Sequence, residues 1–419
     1  MKKARNCLLY YQGFLAISII FAFFTRLDGY LTVNQLLVSP VGLILPYSIL
    51  TIPLFIRERG KYPSGSVFCW CLGYFIIAFL SYLLFPQSEF SLRAFIDRSF
   101  SSLFLLVTTF LFADQRVQSW TRYALIAATG MGIFNNFYQI LNPSAFSGLV
   151  EGRAAGLYLD PNDCANALIL GMILTVDLFP KKLRIFWILI VGFGVVLTFS
   201  RGGILGWIFV VIMMYLTRVI SFQKSLLWIL VMGMLLFFVI QLGSEWIGNS
   251  SNIYKQLDST ALQRVESIIG GDDVLEDSST MERKGVAEKG WEMFLERPIF
   301  GYGIGSTFDY SITHYSVSTH NMFLLYAAEY GIIGVTILPL AIYAVIHRAR
   351  GETRKISIVF ALFILFASLF SHTVLSLNYY LIPFAMMAVM SEISQTYPNP
   401  VSGLREHQAA KLSNSAVRG

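Results

Sequence analysis

Apolar runs of close to twenty residues recur along the whole chain, and no soluble core has room for so many of them. Each approaches the roughly 20 residues that an α-helix needs to cross a bilayer. Only 13% of the 419 residues are charged, against about 25% in a soluble domain. The sequence therefore reads as a polytopic membrane protein. About twelve spans are expected, near 8–25, 39–56, 66–85, 99–113, 123–141, 162–179, 185–200, 203–217, 226–242, 325–347, 356–371 and 378–391. The first follows MKKARN without a small-residue cleavage site, so it is read as a helix rather than a signal peptide. Helix is expected throughout: in lipid the backbone must satisfy itself, and no ten-residue alternation suggests a barrel.

Alternate linkers are basic. MKKAR, RERGK, QRVQSWTR, PKKLR, TRVISFQK, HRARGETRK and the tail after 391 hold 20 of the 31 Lys and Arg residues. The positive-inside bias places them, and both termini, in the cytoplasm. The net charge of +6 is absorbed by this topology and does not suggest nucleic acid. The outer segments are then 26–38, 86–98, 142–161, the corner at 200–203, 243–324 and 372–377. Four parts follow: spans one to nine within 1–242, a large outer loop over 243–324, spans ten to twelve within 325–391, and a cytoplasmic tail over 392–419. Residues 243–317 carry twelve acidic and six basic residues. Within that loop SSNIYKQLDSTALQRVES suggests an amphipathic helix, GGDDVLEDSS a turn, and TMERKGVAEKGWEMFLERPIFG a second helix opened by a Ser279–Glu282 capping box.

Polar residues at the outer side carry what chemistry there is. His320 lies in STHNMFLLYAAEYG, where Thr319 is expected to cap a helix; the positive end of its dipole favours a neutral imidazole, the form that a general base needs. The plain alternative is an interfacial histidine. Arg201 joins two apolar runs in VVLTFSRGGILGWIF, against the topological bias. It either faces a cavity or snorkels to headgroups. Gly202 and Gly203 beside it are expected to let the chain turn sharply and to let something approach the backbone. Arg283, Lys284 and Lys289 read individually as solvated. Arg153 precedes a Leu-Asp-Pro-Asn turn in which Pro161 opens the next span and Asp163 complements its dipole. Asp177 is expected to pair with Lys181 or Lys182. GYGIG (301–305) is read as a flexible turn, because no strand precedes it and no lysine follows. Cys7, Cys69, Cys71 and Cys164 lie in or beside apolar runs and suggest neither disulfide nor metal site.

Arginines and one histidine thus share the outer side. Guanidinium groups bind phosphate through planar, bidentate hydrogen bonds, which suits a lipid-linked phosphate or diphosphate. A neutral histidine nearby suits deprotonation of an acceptor hydroxyl. No aspartate cluster is placed to hold a metal, so the arginines would supply the electrostatics.

Four segments, in order, resemble the O-antigen ligase and polymerase superfamily: RAAGLYLDPNDCANALILG (153–171), LTFSRGGILGWI (197–208), RKGVAEKGWEMFLERPIFGYGIGSTF (283–308) and STHNMFLLYAAEYGIIGV (318–335). The resemblance implies an all-α, GT-C-like transferase of the bacterial inner membrane, metal-independent and without a cofactor, with its site on the periplasmic face. It implies an undecaprenyl-diphosphate-linked glycan as donor, lipid A–core or a second lipid-linked glycan as acceptor, and inversion at the transferred carbon. By motif, Arg201 and Arg283 would bind the diphosphate, His320 would activate the acceptor hydroxyl, and Arg153 would add a phosphate or glycan contact. Glu329 is expected either to pair with a neighbouring helix or to orient a substrate group. A ligase is favoured over a polymerase, and a related branch acts on protein hydroxyls. A transporter is the competing class, disfavoured because the halves differ and the charges cluster at one face.

Overall fold

The computed structural model describes residues 2–37, 39–57, 62–148, 153–220, 278–315 and 319–396. The ninth expected span and the first part of the outer loop lie outside them. The described residues form helices joined by short turns, with no strand among them. We number the α-helices α1 (Lys2–Ile19), α2 (Leu27–Val33), α3 (Val41–Arg57), α4 (Gly65–Leu84), α5 (Glu89–Leu111), α6 (Gln115–Leu141), α7 (Pro161–Thr175), α8 (Arg184–Leu197), α9 (Arg201–Leu216), α10 (Ser278–Glu296), α11 (Tyr310–Thr313), α12 (Met322–Tyr330), α13 (Ile332–Ile346), α14 (Gly351–Ser368) and α15 (Asn378–Thr396). A π-helical turn, Ile20–Phe24, continues α1.

Two helices form the centre. Nearly every residue of α7 and of the first two-thirds of α15 is buried. They pack on each other, α7 also against α6, α8 and α9, and α15 also against α5 and α13. Around them α3 and α4 turn apolar side chains outward: Ile49, Phe55, Phe68, Leu72, Phe79 and Leu83 are all exposed. An outward band of this kind is stable in lipid and a liability in water. Three described helical stretches, 6–24, 65–84 and 89–111, are long and apolar enough to cross a membrane, and four shorter apolar helices accompany them.

Several local expectations need correction. The segment 86–98 is mostly helix: Ser88 and Ser91 cap each other reciprocally and start α5 at Glu89, and one polar turn costs little when capped at both backbone ends. The expected span 325–347 is two helices. Gly331, at φ 64°, separates α12 from α13. The GYGIG segment is a docked turn rather than a flexible one. Gly301, Gly303 and Gly305 all have positive φ, and the amides of Tyr302 and Gly303 donate to the carbonyls of Ala328 (2.8 Å) and Glu329 (3.0 Å). Ile332 N in turn donates to Pro298 O at 2.8 Å. The loop thereby satisfies carbonyls that the end of α12 leaves open. Asp177 pairs with Arg122 of α6, not with its neighbouring lysines, because the helix end aims it at α6.

Candidate active site

Arg201 is set by the corner between α8 and α9. Phe199, at φ 51°, makes the turn, so Gly202 and Gly203 are not needed for it. Gly203 serves close approach instead: a methyl there would run into Ala165 of α7. Ser200 caps α9. Its Oγ accepts from Gly203 N at 3.0 Å and donates to Asn162 Oδ1 at 2.7 Å. Arg201 is therefore the first residue of a capped helix, half-buried and tied to the start of α7. Arg153 joins it. Its side chain is buried, and Nε donates to Thr198 O at 3.3 Å, three residues before Arg201. Asp160 caps α7 by accepting from Asn162 N (2.7 Å) and Asp163 N (3.2 Å), with Pro161 in the first helical position, as its missing N–H allows.

His320 sits one residue outside its helix. The cap is Asn321, whose Oδ1 accepts from Phe323 N (2.9 Å) and Leu324 N (3.1 Å), while Thr319 donates to Asn321 O. Thr319 is thus not the cap, and His320 precedes the first turn instead of occupying it. Its ring meets that of His372 edge to face, centroids 5.8 Å apart, and His372 meets Phe308 at the same distance. His372 lies in the short segment between α14 and α15. Burial, with the neighbouring His320 adding to it, pushes its imidazole down to about 4. His372 is therefore neutral near pH 7.

Arg283 lies on α10, which packs on α12. A methyl on Gly290 would meet Thr319 Cγ2 at 2.6 Å. Val286, Gly290 and Met293 are buried, and Arg283 continues the same helix face one turn beyond Val286. It is exposed, about 10 Å along the axis from Gly290 at 1.5 Å per residue.

The start of α15 is bonded to the starts of α7 and α2. Tyr379 OH donates to Asp163 Oδ1 at 2.9 Å, Asn378 Nδ2 donates to Asp28 Oδ2 at 3.0 Å, and His372 lies six residues before Asn378. Burial raises the Asp28 carboxyl above its usual range, opposed by Arg26 and by the bond from Asn378. Glu329 stands apart. It is fully buried in an ion pair with Arg98 of α5, and its Oε1 accepts from Thr307 at 2.8 Å. Arg98 also bonds the Tyr330 hydroxyl and lies 5.3 Å from the Tyr326 ring. Of the two expectations for Glu329, pairing with a neighbouring helix describes what its carboxylate does.

His372, Arg26, Asp28, Asn378 and Arg98 escaped the sequence reading. Arg26 and Arg98 carried the signal that singled out Arg201, an arginine on the outer side against the charge bias. Among the described residues no three His, Cys, Asp or Glu side chains gather as a metal site.

Residues 185–339 match the O-antigen ligase family. This segment belongs to the O-antigen ligase/polymerase superfamily. It spans a little over a third of the chain and includes Arg201, Arg283, His320 and Glu329; Arg153 and His372 fall outside it. The match supports, for this segment and at the level of the family, a glycosyltransferase of O-antigen ligase or polymerase type. No curated protein matches the chain.

Proposed function

We propose that the protein transfers a glycan from undecaprenyl diphosphate to an acceptor hydroxyl at the periplasmic face of the bacterial inner membrane, as an O-antigen ligase acting on lipid A–core. In this reading the chain crosses the membrane about twelve times and keeps both termini in the cytoplasm. The observation that supports it is the placing of His320 beside the cap of α12, next to Thr319, which meets the arginine-bearing helix α10 at Gly290, within the segment that matches the ligase family.

The chemistry needs three acts. His320 takes the proton from the acceptor hydroxyl. The oxygen attacks the anomeric carbon from the face opposite the diphosphate, with inversion. The carbon–oxygen bond to the diphosphate breaks, and the leaving group departs with the electron pair. Arg201 and Arg283 bind that diphosphate and offset the charge it gains, and Arg153 holds a further phosphate or sugar oxygen. No metal is required for these steps.

The test uses purified protein in detergent with an undecaprenyl-diphosphate-linked repeat, with and without lipid A–core. A shifted lipid A–core band, absent with His320→Ala, is expected. A ladder formed without lipid A–core would instead identify a polymerase with the same donor site. Gradient-driven uptake into vesicles without any glycan transfer would replace the enzyme with a transporter.

A further inference from the structure

Buried polar atoms without partners are rare in folded proteins, and where they gather a ligand or ordered water is the usual reason. Three lie around the start of α15. Asp28 Oδ1, Arg26 Nε and Tyr158 OH are buried and make no hydrogen bond among the described residues. Asp28 is 0% exposed and Tyr158 2%.

These groups form one strip. The charge of Arg26 acts on Asp28, Tyr158 and Asp163. Its guanidinium lies over the first turn of α2, where a methyl on Gly29 would meet Cζ at 3.0 Å. The rings of Tyr158 and Tyr379 meet edge to face at 6.2 Å, and those of Tyr379 and Tyr380 lie 4.4 Å apart. Asn378 joins the strip through its bond to Asp28, and beyond it stands His372 against His320. Arg26 itself is held at φ 61°. That left-handed backbone costs a non-glycine residue energy and tends to occur at functional sites.

We propose that this strip, from Arg26 and Asp28 through Tyr158 to Tyr380, is a subsite for the hydroxyl groups of a saccharide. The proposal rests on the glycosyl-transfer reading for the identity of that saccharide. The chemistry selects the class. The unpartnered atoms include donors (Arg26 Nε and the Tyr158 hydroxyl) and a carboxylate acceptor (Asp28 Oδ1), and a polyol answers both. A phosphate would meet the carboxylates of Asp28 and Asp163, and a lipid chain would leave every polar atom unanswered. Tyrosine rings add the flat apolar faces that pack on sugar C–H groups. Arg26, the half-buried member, marks the side from which the saccharide enters.

The test is direct binding to the full chain in detergent, followed by fluorescence, with three probes. They are core oligosaccharide released from lipopolysaccharide by mild acid, the delipidated repeat-unit oligosaccharide, and undecaprenyl diphosphate. Wild type is expected to bind at least one oligosaccharide. Asp28→Asn, which still offers an acceptor to Asn378, and Tyr158→Phe are expected to bind it at least tenfold more weakly, with undecaprenyl diphosphate binding unchanged. Which oligosaccharide is affected names the source, core for an acceptor subsite and repeat unit for a donor subsite. Undiminished oligosaccharide binding by both variants would overturn the subsite. So would an equal loss of undecaprenyl diphosphate, or a wild type that binds neither oligosaccharide. A wild type that binds an oligosaccharide through these residues but transfers nothing would defeat the transferase reading and leave the subsite standing.

Discussion

Arg98 of α5 and Glu329 of α12 form a buried ion pair, with side chains 7% and 0% exposed. The pair lies 231 residues apart in sequence and pins the broken helix α12–α13 to the helix before the fifth turn of the chain. Thr307 completes the carboxylate, and the tyrosines at 326 and 330 flank the guanidinium. Removing one partner of such a pair leaves a buried charge, at a cost of about 3–5 kcal/mol. Glu329→Ala is therefore expected to lower the unfolding temperature in detergent sharply. A variant as stable as wild type that fails only in substrate binding would return Glu329 to the substrate site.

Gly331 and Gly202 differ in what they tolerate. At Gly331 φ is 64°, and a methyl would run into the backbone of Ile299. Gly331→Ala is expected to destabilise by about 1–3 kcal/mol or more from the backbone strain alone. A methyl on Gly202 meets nothing within 4 Å, so Gly202→Ala should leave stability within about 1 kcal/mol of wild type. Thermal unfolding of the two variants side by side checks the contrast.

His372 gives the fold a pH dependence with a definite sign. Its imidazole titrates near 4 in the folded chain and near 6.5 when unfolded. The folded state thus binds fewer protons between these values. Stability from this group is complete above about pH 6.5 and declines as pH falls through 4, by about 3 kcal/mol in all. His372→Phe is expected to flatten unfolding temperature against pH between about 6.5 and 4. An unchanged slope would contradict the burial argument.

Arg201 should not accept lysine. A point charge does not reproduce the planar fork that grips two phosphate oxygens. Transfer by Arg201→Lys is expected to fall by at least about tenfold, with the unfolding temperature near that of wild type, because Ser200 and Gly203 hold the corner without the side chain. Wild-type rates in this variant would remove Arg201 from the diphosphate site.

Local signals were legible in the sequence. The Asp-Pro-Asn turn does open α7, and the outer corner at 200–203 is where α8 gives way to α9. Long-range ones were not. Arg122 finds Asp177 across 55 residues, and Arg98 finds Glu329, through contacts that only the packed helices create. The helix break at Gly331 depends on a loop thirty residues upstream docking its amides on α12, so hydropathy carried one span through it. The turn at Phe199 fell on a residue type that rarely takes positive φ, and the neighbouring glycines drew the expectation to themselves. At the candidate site, Arg201 and His320 could be placed near helix starts from sequence, and Arg153 in the loop before α7. His372 and Asp28 could not, because neither stands in a motif and each matters only through its neighbour.

The central claim is that His320 is the base in a glycosyl transfer. It is tested most directly by measuring lipid-linked glycan consumed and acceptor glycosylated by wild type and His320→Ala, with the unfolding temperature of each recorded in the same detergent. The account predicts equal unfolding temperatures, transfer by wild type, and a loss of about two orders of magnitude or more in the variant. Transfer by a folded His320→Ala protein at the wild-type rate would contradict it.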